Sequence, residues 1–411
     1  MNPMIPTKRL LGLVFLMASM PAAPAAQFTE LEATHARVDA GVVAVQPALP
    51  AAQFTELQAA IAAFDAEVAV GVAEDAGGCV SVAVFIGDEV IWAKGYGWAD
   101  IENRIAATPD TIGRTGSISK SFTAVLLMQL AERGVLDIDD PVVDYFPAVA
   151  GLAGGPESPE DPEGPEGMDP ITFRMLASHT AGLIREPELR GAAAGPIQGW
   201  EGKVLASIPH TRFQTAPRTE YAYSNIGFGI LGLAASRAAG APFMELVEEL
   251  VFKPLGMGSS TFIVNTPELA ARLSVGYSRD RETGALSAEQ ATREHFGRGY
   301  KVPNGGIYST VIDMAKFAAA MMGESPVAIL SEASRREMLT PQPPAEAYGL
   351  GFQVRERDGV TVAGHGGSVA GYNAGLWFDP DSKVGVAMLR TTSYDPPITE
   401  LLVTLAGAEG R

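Results

Sequence analysis

Strand-like runs near both ends of the chain, separated by a long helical stretch, restrict the folds open to this sequence. Residues 80–86 and 90–96 are joined by Gly87-Asp88-Glu89, the spacing of a β-hairpin. Four further runs close the chain, at 349–355, 359–364, 373–378 and 384–389. We therefore expect one sheet built from both ends of the chain, with a helical insertion between its halves.

The intervening residues 117–340 are mostly helical in pattern. Examples are 117–133, which stops at Gly134, and 226–239, which stops at Gly240. The predicted domain spans 53–411 and opens with a helix. Its helical region of about 117–300 lies between sheet-forming segments at 80–116 and 301–411. The Gly-, Pro- and Glu-rich segment 151–170 is interpreted as a solvated loop, with substrate gating as the alternative.

The N-terminal 52 residues are interpreted as a leader and a spacer. Lys8 and Arg9 precede an apolar stretch too short to span a bilayer, and small residues with an Ala-x-Ala pattern follow. We expect 1–26 to be a signal peptide and the product to be periplasmic or extracellular; an uncleaved anchor or a misassigned start is the alternative. The hexapeptide Ala-Gln-Phe-Thr-Glu-Leu occurs twice, too few copies for a repeat fold, so 27–52 is interpreted as a spacer.

Charge and cysteine content exclude several function classes. The 411 residues carry a formal net charge of -18, which disfavours nucleic acid and anionic membrane surfaces as partners. Beyond the leader, no apolar run is long enough to cross a membrane. Cys79 is the only cysteine, so no internal disulfide forms, and its place in an apolar run predicts a core residue.

Common catalytic motifs are missing from the chain. There is no Gly-x-Ser-x-Gly, no Gly-x-x-x-x-Gly-Lys phosphate loop and no His-Glu-x-x-His, and the five histidines lack zinc-ligand spacing. We therefore expect neither a metal nor another cofactor.

One Ser-x-x-Lys motif, Ser117-Ile118-Ser119-Lys120, is the first candidate for chemistry. Residues three apart on a helix share a face, so the Lys120 amine would lie beside the Ser117 hydroxyl. The following residues are apolar almost all round, which predicts a buried helix and an environment that keeps a lysine neutral. The alternative is a helix-capping Ser117 with a surface Lys120.

Two further motifs are weaker when taken alone. Tyr223 and Asn225 lie two apart before an apolar helix, so both can face a cleft; taken alone, the pattern favours the alternative of a turn asparagine beside a half-buried tyrosine. His365-Gly366-Gly367, followed by Ser368, ends a strand-like run. Bare glycines there would let a substrate backbone approach, and a flexible turn is the alternative.

Taken in order, these motifs and several other segments resemble the penicillin-recognising serine hydrolases. The branch of closest likeness contains class C β-lactamases, DD-carboxypeptidases, D-aminopeptidases and related esterases, and the likeness runs from about residue 61 to the C-terminus. The segments that carry it are 108–111, 116–124, 176–183 (Leu-Ala-Ser-His-Thr-Ala-Gly-Leu), 254–257, 304–310 and 348–352. The resemblance implies an antiparallel sheet flanked by helices, a mostly helical subdomain and an active site at their junction.

The resemblance also implies roles for residues. Ser117 would be the acylated nucleophile, Lys120 its proton partner and Tyr223 the second acid/base. Asn225 would orient Lys120 and the substrate, and the backbone N–H groups of Ser117 and Ser368 would form the oxyanion hole. The position of His179 is structural in the family, so His179 is left out of the catalytic set.

The departures from the family pattern concern the substrate. Where β-lactamases have Lys-Thr-Gly, this chain has His365-Gly366-Gly367, and His365 is expected to be charged only part of the time. Ser368 is a candidate replacement for the missing hydroxyl, and Arg218 for the cation if it points inward. We expect an exported esterase or D-amino-acid peptidase/amidase acting on a small-molecule or peptide substrate, with the cell wall as a candidate source of that substrate. A β-lactamase and a non-catalytic binding module of the same fold are the alternatives.

Overall fold

The computed structural model describes residues 51–152, 169–280 and 282–409. The predicted signal peptide, nearly all of the predicted spacer and most of the 151–170 segment lie outside the described residues.

Seven of the described strands form one antiparallel sheet in the order β3-β2-β1-β11-β10-β9-β8. The two chain ends meet where β1 pairs with β11, with Val80 opposite Arg390 and Ile86 opposite Val384. The strands are β1 Cys79–Ile86, β2 Glu89–Asp100, β3 Ile105–Ala106, β4 Gly113–Arg114, β5 Ser278–Arg279, β6 Leu286–Ser287, β7 Tyr308–Ser309, β8 Gln353–Arg357, β9 Val360–Val369, β10 Tyr372–Phe378 and β11 Val384–Arg390. Strands β4 and β7 pair with each other, as do β5 and β6.

Helices cover both faces of the sheet. The α-helices are α1 Ala51–Asp75, α2 Ser119–Glu132, α3 Val142–Tyr145, α4 Phe173–Ala177, α5 Trp200–Ser207, α6 Asn225–Ala239, α7 Phe243–Val247, α8 Pro267–Ala270, α9 Glu289–Glu294, α10 Val302–Gly305, α11 Val311–Met322, α12 Glu332–Met338 and α13 Ile398–Glu409. Short 3₁₀ turns lie at Gly116–Ile118, Pro147–Gly151, Ile197–Gly199, Ile208–His210 and Gly299–Lys301, and a π-helical turn at Glu248–Phe252.

Alternation along β1 builds a core on each face of the sheet. Val82 and Val84 point into a cluster with α1 and α13, whereas Ala83 and Phe85 point into the larger cluster with α2, α6 and α11. Burying a valine or phenylalanine side chain stabilises a fold by roughly 1.5–3 kcal/mol. The fold class predicted from the sequence is therefore confirmed, with helices on both faces of the sheet.

The sequence misplaced several strand ends, and two of them lie beside the site. It predicted a strand from residue 349, but β8 begins at Gln353, because residues 348–352 turn tightly against α2, where the Ser121 hydroxyl donates to the Gly351 carbonyl at 2.7 Å. It also ended a strand at 364, but β9 continues to Val369 because His365 to Ser368 pair with β10. The His365-Gly366-Gly367 motif is therefore strand, not a flexible turn.

The predicted buried helix exists as α2, whose residues from Ser119 to Leu130 are all buried. Helix α6 ends, as expected, at Gly240 in the left-handed conformation, with φ of 65°. Cys79 is buried at the start of β1, and burial raises the pKa of its thiol to about 11. In the described part of the chain, no single helix is both long and apolar enough to span a membrane. The helices Asn225–Ala239 and Phe243–Phe252 reach the required length and apolar composition only when taken together, and the chain bends by 83° between them.

Candidate active site

Ser117 and Lys120 lie at the entry to α2. Ser117 belongs to the 3₁₀ turn and Lys120 to the first turn of the helix, so the amine Nζ donates to the hydroxyl Oγ at 3.0 Å. The preceding Gly116 has φ of 52°, which favours glycine, and a Cβ there would lie 2.7 Å from the backbone nitrogen of Ser368. Lys120 is 0% exposed, which excludes the surface-lysine interpretation.

The surroundings of Lys120 favour its neutral form. Burial lowers the pKa of the amine well below its usual value, and the positive charges of Arg185, Arg298 and Lys301 lower it further. Nζ is held by the side-chain oxygen of Asn225 at 2.8 Å and by a carbonyl of α10 at 3.4 Å. A neutral amine hydrogen-bonded to a hydroxyl can accept its proton.

Tyr223 packs over this pair on the segment that leads into α6. Lys120 Nζ lies 4.7 Å from the Tyr223 ring centroid, and the Arg185 guanidinium carbon lies 4.8 Å from it. Burial raises the pKa of the phenol to about 12, although the Ser117 side chain and the charge of Arg185 oppose the shift. The phenol therefore carries its proton at neutral pH.

Local structure accounts for the position of Tyr223. The next residue, Ser224, is extended and caps α6, its hydroxyl accepting from the backbone of Gly227 at 3.0 Å. The backbone N–H of Ser224 donates to Nδ1 of the buried His179 at 3.1 Å, and the His179 and Tyr223 rings lie 4.2 Å apart. His179 thus supports the wall of the site.

A hydrogen-bond relay extends from Lys120 to a carboxylate. Asn225 accepts from Lys120 through Oδ1 and donates through Nδ2 to Glu186 at 2.6 Å. Glu186 also accepts from the Tyr300 hydroxyl and, at 3.0 Å, from Lys301. Burial alone would raise the pKa of Glu186, but these hydrogen bonds outweigh it and hold the pKa below its ordinary value. Because an ionised carboxylate only accepts, Glu186 sets which way the Asn225 amide points.

Strand β9 forms the opposite wall of the site, and it contributes backbone groups rather than charged side chains. A Cβ on Gly367 would lie 1.9 Å from the carbonyl oxygen of Thr115 and 3.1 Å from the backbone nitrogen of Ser117. This close approach places the strand that carries Ser368 against the turn that carries Ser117, the two residues whose N–H groups the predicted oxyanion hole needs. Gly366 faces the other way, and nothing lies within 3.8 Å of a Cβ placed on it.

His365 does not act as a cation. The residue is 2% exposed, and burial lowers the pKa of its ring to about 3. Nε2 pairs with the Tyr348 hydroxyl at 3.1 Å, and Nδ1 lies 2.5 Å from the Gly366 carbonyl oxygen. The expectation of a partly charged His365 was therefore wrong, since pairing of β9 with β10 turns this side chain inward. Arg218, the other suggested cation, is exposed and does not line the cleft.

These groups open onto one cleft of about 950 Å³. It brings together all the predicted site residues except Lys120, which lies beneath its floor. It also adds charged residues that the sequence did not single out: Arg185, Glu186, Arg298, Lys301, Arg390, Asp395 and Glu400. Arg185 and Glu186 follow the 176–183 segment almost directly, which was the one available signal for them. Among the described residues, no group of three or more His, Cys, Asp or Glu side chains could hold a metal ion.

Comparison with known proteins gives a consistent result. The curated relatives include Beta-lactamase-like protein 4 of Dictyostelium discoideum, 27% identical over 333 residues, which are 74% of this chain and 55% of that protein. They also include the D-alanyl-D-alanine-carboxypeptidase/endopeptidase AmpH of Escherichia coli (strain K12), 26% identical over 334 residues, 76% of this chain and 79% of that protein. The chain thus spans about half the length of the first relative.

Solved structures share the fold. The octameric penicillin-binding protein homologue from Pyrococcus abyssi has a TM-score of 0.67 and 25% identity, covering 85% of this chain and 78% of that one. The D-amino acid amidase from Ochrobactrum anthropi SV3 has a TM-score of 0.68 and 22% identity, covering 86% and 98%. A model of the family described as Beta-lactamase matches residues 60–407. Since that match covers most of the chain, the protein belongs to the beta-lactamase family.

Proposed function

We propose that this enzyme cleaves an amide, peptide or ester bond through an acyl-enzyme on Ser117. The observation that carries the proposal is the buried Lys120 amine, 3.0 Å from the Ser117 hydroxyl, with its pKa lowered by burial and by neighbouring cations. Such an amine is the base that a serine hydroxyl needs to become a nucleophile.

Both walls of the cleft contribute groups to the proposed reaction. Lys120 takes the Ser117 proton while Oγ bonds to the substrate carbonyl carbon, and the resulting oxyanion is bound by the N–H groups of Ser117 and Ser368. The Tyr223 phenol donates its proton to the leaving group as the scissile bond breaks, and the Lys120 ammonium then reprotonates the phenol. In deacylation, water attacks the acyl carbon and gives a proton to the same groups. They return that proton to Ser117 Oγ as the bond between Oγ and the acyl carbon breaks and the acid leaves.

For the substrate, we propose an amide or peptide, with D-residues as the leading class. The names of the E. coli carboxypeptidase and the Ochrobactrum amidase support this class. The neutral, buried His365 supports it against a β-lactam, because β-lactamases of this kind place a lysine at that position. We also propose that residues 1–26 direct export. An N-terminus at Gln27 in protein recovered outside the cytoplasm would support this, and retention of Met1 on cytoplasmic protein would contradict it.

The test compares the wild type with Ser117→Ala and, as a matched control, Ser393→Ala at an exposed serine outside the cleft. Each protein is incubated with p-nitrophenyl butyrate, D-alanine p-nitroanilide, a D-Ala-D-Ala peptide and a chromogenic cephalosporin, and intact mass is recorded. We expect turnover or an acyl adduct in the wild type and the control and neither in Ser117→Ala. Persistence of both in Ser117→Ala would contradict the mechanism, and a preference for the cephalosporin would contradict the substrate class.

A further inference from the structure

The cleft that contains Ser117 continues past the catalytic groups to a second end. Its volume of about 950 Å³ is near the top of the range of roughly 300–1,000 Å³ that small-molecule sites occupy, so a scissile bond and its immediate neighbours fill only part of it. The second end is formed by strands β9, β10 and β11 and by residues 395–400, which include the start of α13. Residues 395–400 take no part in the proposed reaction.

The floor of this second end is open because two glycines lie opposite each other there. Gly366 of β9 pairs with Gly375 of β10. A Cβ placed on Gly366 would have no atom nearer than 3.8 Å, and that atom belongs to the Trp377 ring. The next residue of β9, Gly367, packs against the turn that carries Ser117. The open floor therefore begins one residue along β9 from the contact with the nucleophile turn.

The Trp377 side chain forms the wall beside this floor. A Cβ on Gly375 would lie 3.2 Å from Trp377 Nε1 and 2.5 Å from Ile398 Cδ1, so these two side chains occupy the space above Gly375. Trp377 is partly buried against the core cluster of α1 and α13, which holds the ring in place. Its indole N–H makes no hydrogen bond to any residue that the structure describes. The indole therefore presents apolar surface and an available donor to the cleft.

The charged groups at this end are already paired with other protein groups. Arg390 pairs with Asp395 at 3.1 Å, and its side chain is only 11% exposed. The Glu400 carboxylate accepts from Arg357 at 2.9 Å. The other residues that line this end are apolar or neutral: Met388, Pro396, Pro397, Ile398, Asn373 and Thr399. A flat aromatic ring matches this surface, because aromatic rings pair with an indole by stacking or by edge-to-face contact.

We propose that the second end of the cleft is a subsite for an aromatic group of the substrate, which lies above Gly366 and against the Trp377 indole. The inference rests on the proposed function and adds a specificity to it. Gly366 stands where the β-lactamase motif has a residue with a hydroxyl group, and its lack of a side chain leaves room for the ring. Preferred substrates then carry an aromatic ring close to the scissile bond, either on the acyl side or in the leaving group.

The test uses three substrates that share the scissile D-Ala amide bond and differ by one ring. N-acetyl-D-Ala-D-Ala is the reference, N-phenylacetyl-D-Ala-D-Ala carries the ring on the acyl side, and N-acetyl-D-Ala-D-Phe carries it in the leaving group. Each is also made as an ester, with D-lactate or D-phenyllactate as the leaving group. Chromatography of the released product gives kcat/KM, and the readout is the ratio between each ring-bearing substrate and its reference.

The variants change the subsite from two sides. Trp377→Ala removes the indole, Trp377→Phe keeps an aromatic ring, and Gly366→Val fills the open floor without moving the wall. The control is Trp98→Ala, because Trp98 is 38% exposed on β2 and does not line the cleft. Gly366→Val also keeps the inference testable if Trp377→Ala does not fold.

We expect the wild type and Trp98→Ala to prefer at least one ring-bearing substrate by about 10- to 100-fold, the factor that corresponds to burial of one large apolar group. Trp377→Ala should reduce this preference about 10-fold, since the aromatic pair is lost, and Trp377→Phe should keep most of it. Gly366→Val should reduce the preference as well, because its methyl groups occupy the place of the ring.

A wild type without preference for either ring would overturn the inference. Equal losses on ring-bearing and reference substrates in Trp377→Ala and Gly366→Val would overturn it too, because those losses would reflect a structural role alone. If no substrate reacts, calorimetric titration with N-acetyl-D-phenylalanine amide and N-acetyl-D-alanine amide tests the subsite by itself. Equal binding of the two amides by the wild type, or of the first by the wild type and Trp377→Ala, would then overturn the inference. Failure of a fluorophosphonate to label Ser117 would show separately that the proposed function is wrong.

Discussion

The two walls of the cleft are built on opposite physical principles. The helical wall, from α2, α6 and the segment around Glu186, provides charged and proton-transferring side chains connected by hydrogen bonds. The wall formed by β9 provides backbone N–H groups and bare glycines, and its one titratable residue, His365, is buried in neutral form. In the proposed mechanism, the helical wall therefore transfers protons, and the β9 wall aligns the substrate backbone.

The largest expected effect comes from a substitution in the helical wall. Lys120→Met keeps an unbranched side chain but removes the base, and we expect kcat/KM to fall by about 10²–10⁴-fold, the usual contribution of a positioned acid/base. Steady-state kinetics and the rate of fluorophosphonate labelling measure it, with Lys253→Met at an exposed position as the control. A variant that is folded by circular dichroism and retains more than a tenth of wild-type activity would remove Lys120 from the mechanism.

The second-largest effect comes from a substitution in the β9 wall. Gly367→Ala places a methyl group 1.9 Å from the Thr115 carbonyl oxygen, so β9 must move away from Ser117. We expect activity to drop at least about 10-fold, since misplacement of this size disrupts the reacting geometry, and stability to fall by about 1–3 kcal/mol from overpacking. Urea unfolding of Gly366→Ala is the matched comparison, because its methyl group meets nothing nearer than 3.8 Å. Equal stability of the two variants would show that the close approach is not needed.

A smaller effect is expected from a residue of the helical wall that positions Asn225 without taking part in the chemistry. Glu186→Gln keeps the shape but lets the Asn225 amide turn, and we expect about a 10-fold loss in kcat/KM. The Glu186 charge raises the pKa of Lys120, so its removal should move the acid limb of the pH profile to lower pH. A profile that stays in place, or moves to higher pH, would show that Glu186 does not communicate with Lys120.

The smallest effect concerns stability rather than rate. The pKa of His365 falls from 6.5 to about 3 on folding, so the unfolded chain binds one more proton between these values. Its contribution is fully present above pH 6.5 and is lost as the pH falls, at about 1.4 kcal/mol per pH unit. His365→Gln should make the free energy of unfolding fall less steeply between pH 6 and pH 4, an interval chosen to lie inside that window. Identical slopes would mean that His365 is charged in the folded protein.

Local patterns accounted for much of the fold and for the centre of the site. The spacing of Ser117 and Lys120 determines their contact, because residues three apart on a helical turn share a face. The hairpin of β1 and β2 and the end of α6 at Gly240 follow from turn and capping residues in the same way. Local patterns marked Tyr223, Asn225 and the His365-Gly366-Gly367 run only as weak candidates, and the resemblance to a known family gave them roles.

The sequence did not reveal the electrostatic state of the site. Glu186 reaches Asn225 across 39 residues and Lys301 reaches Glu186 across 115, so no local spacing predicts either contact. The sequence alone determined which side chains are available and that Ser117 and Lys120 would meet. Only the tertiary structure decided that Lys120 and His365 are buried. The charge of a group depends on how far packing removes it from water and which charges surround it, and both follow from contacts distant in the chain.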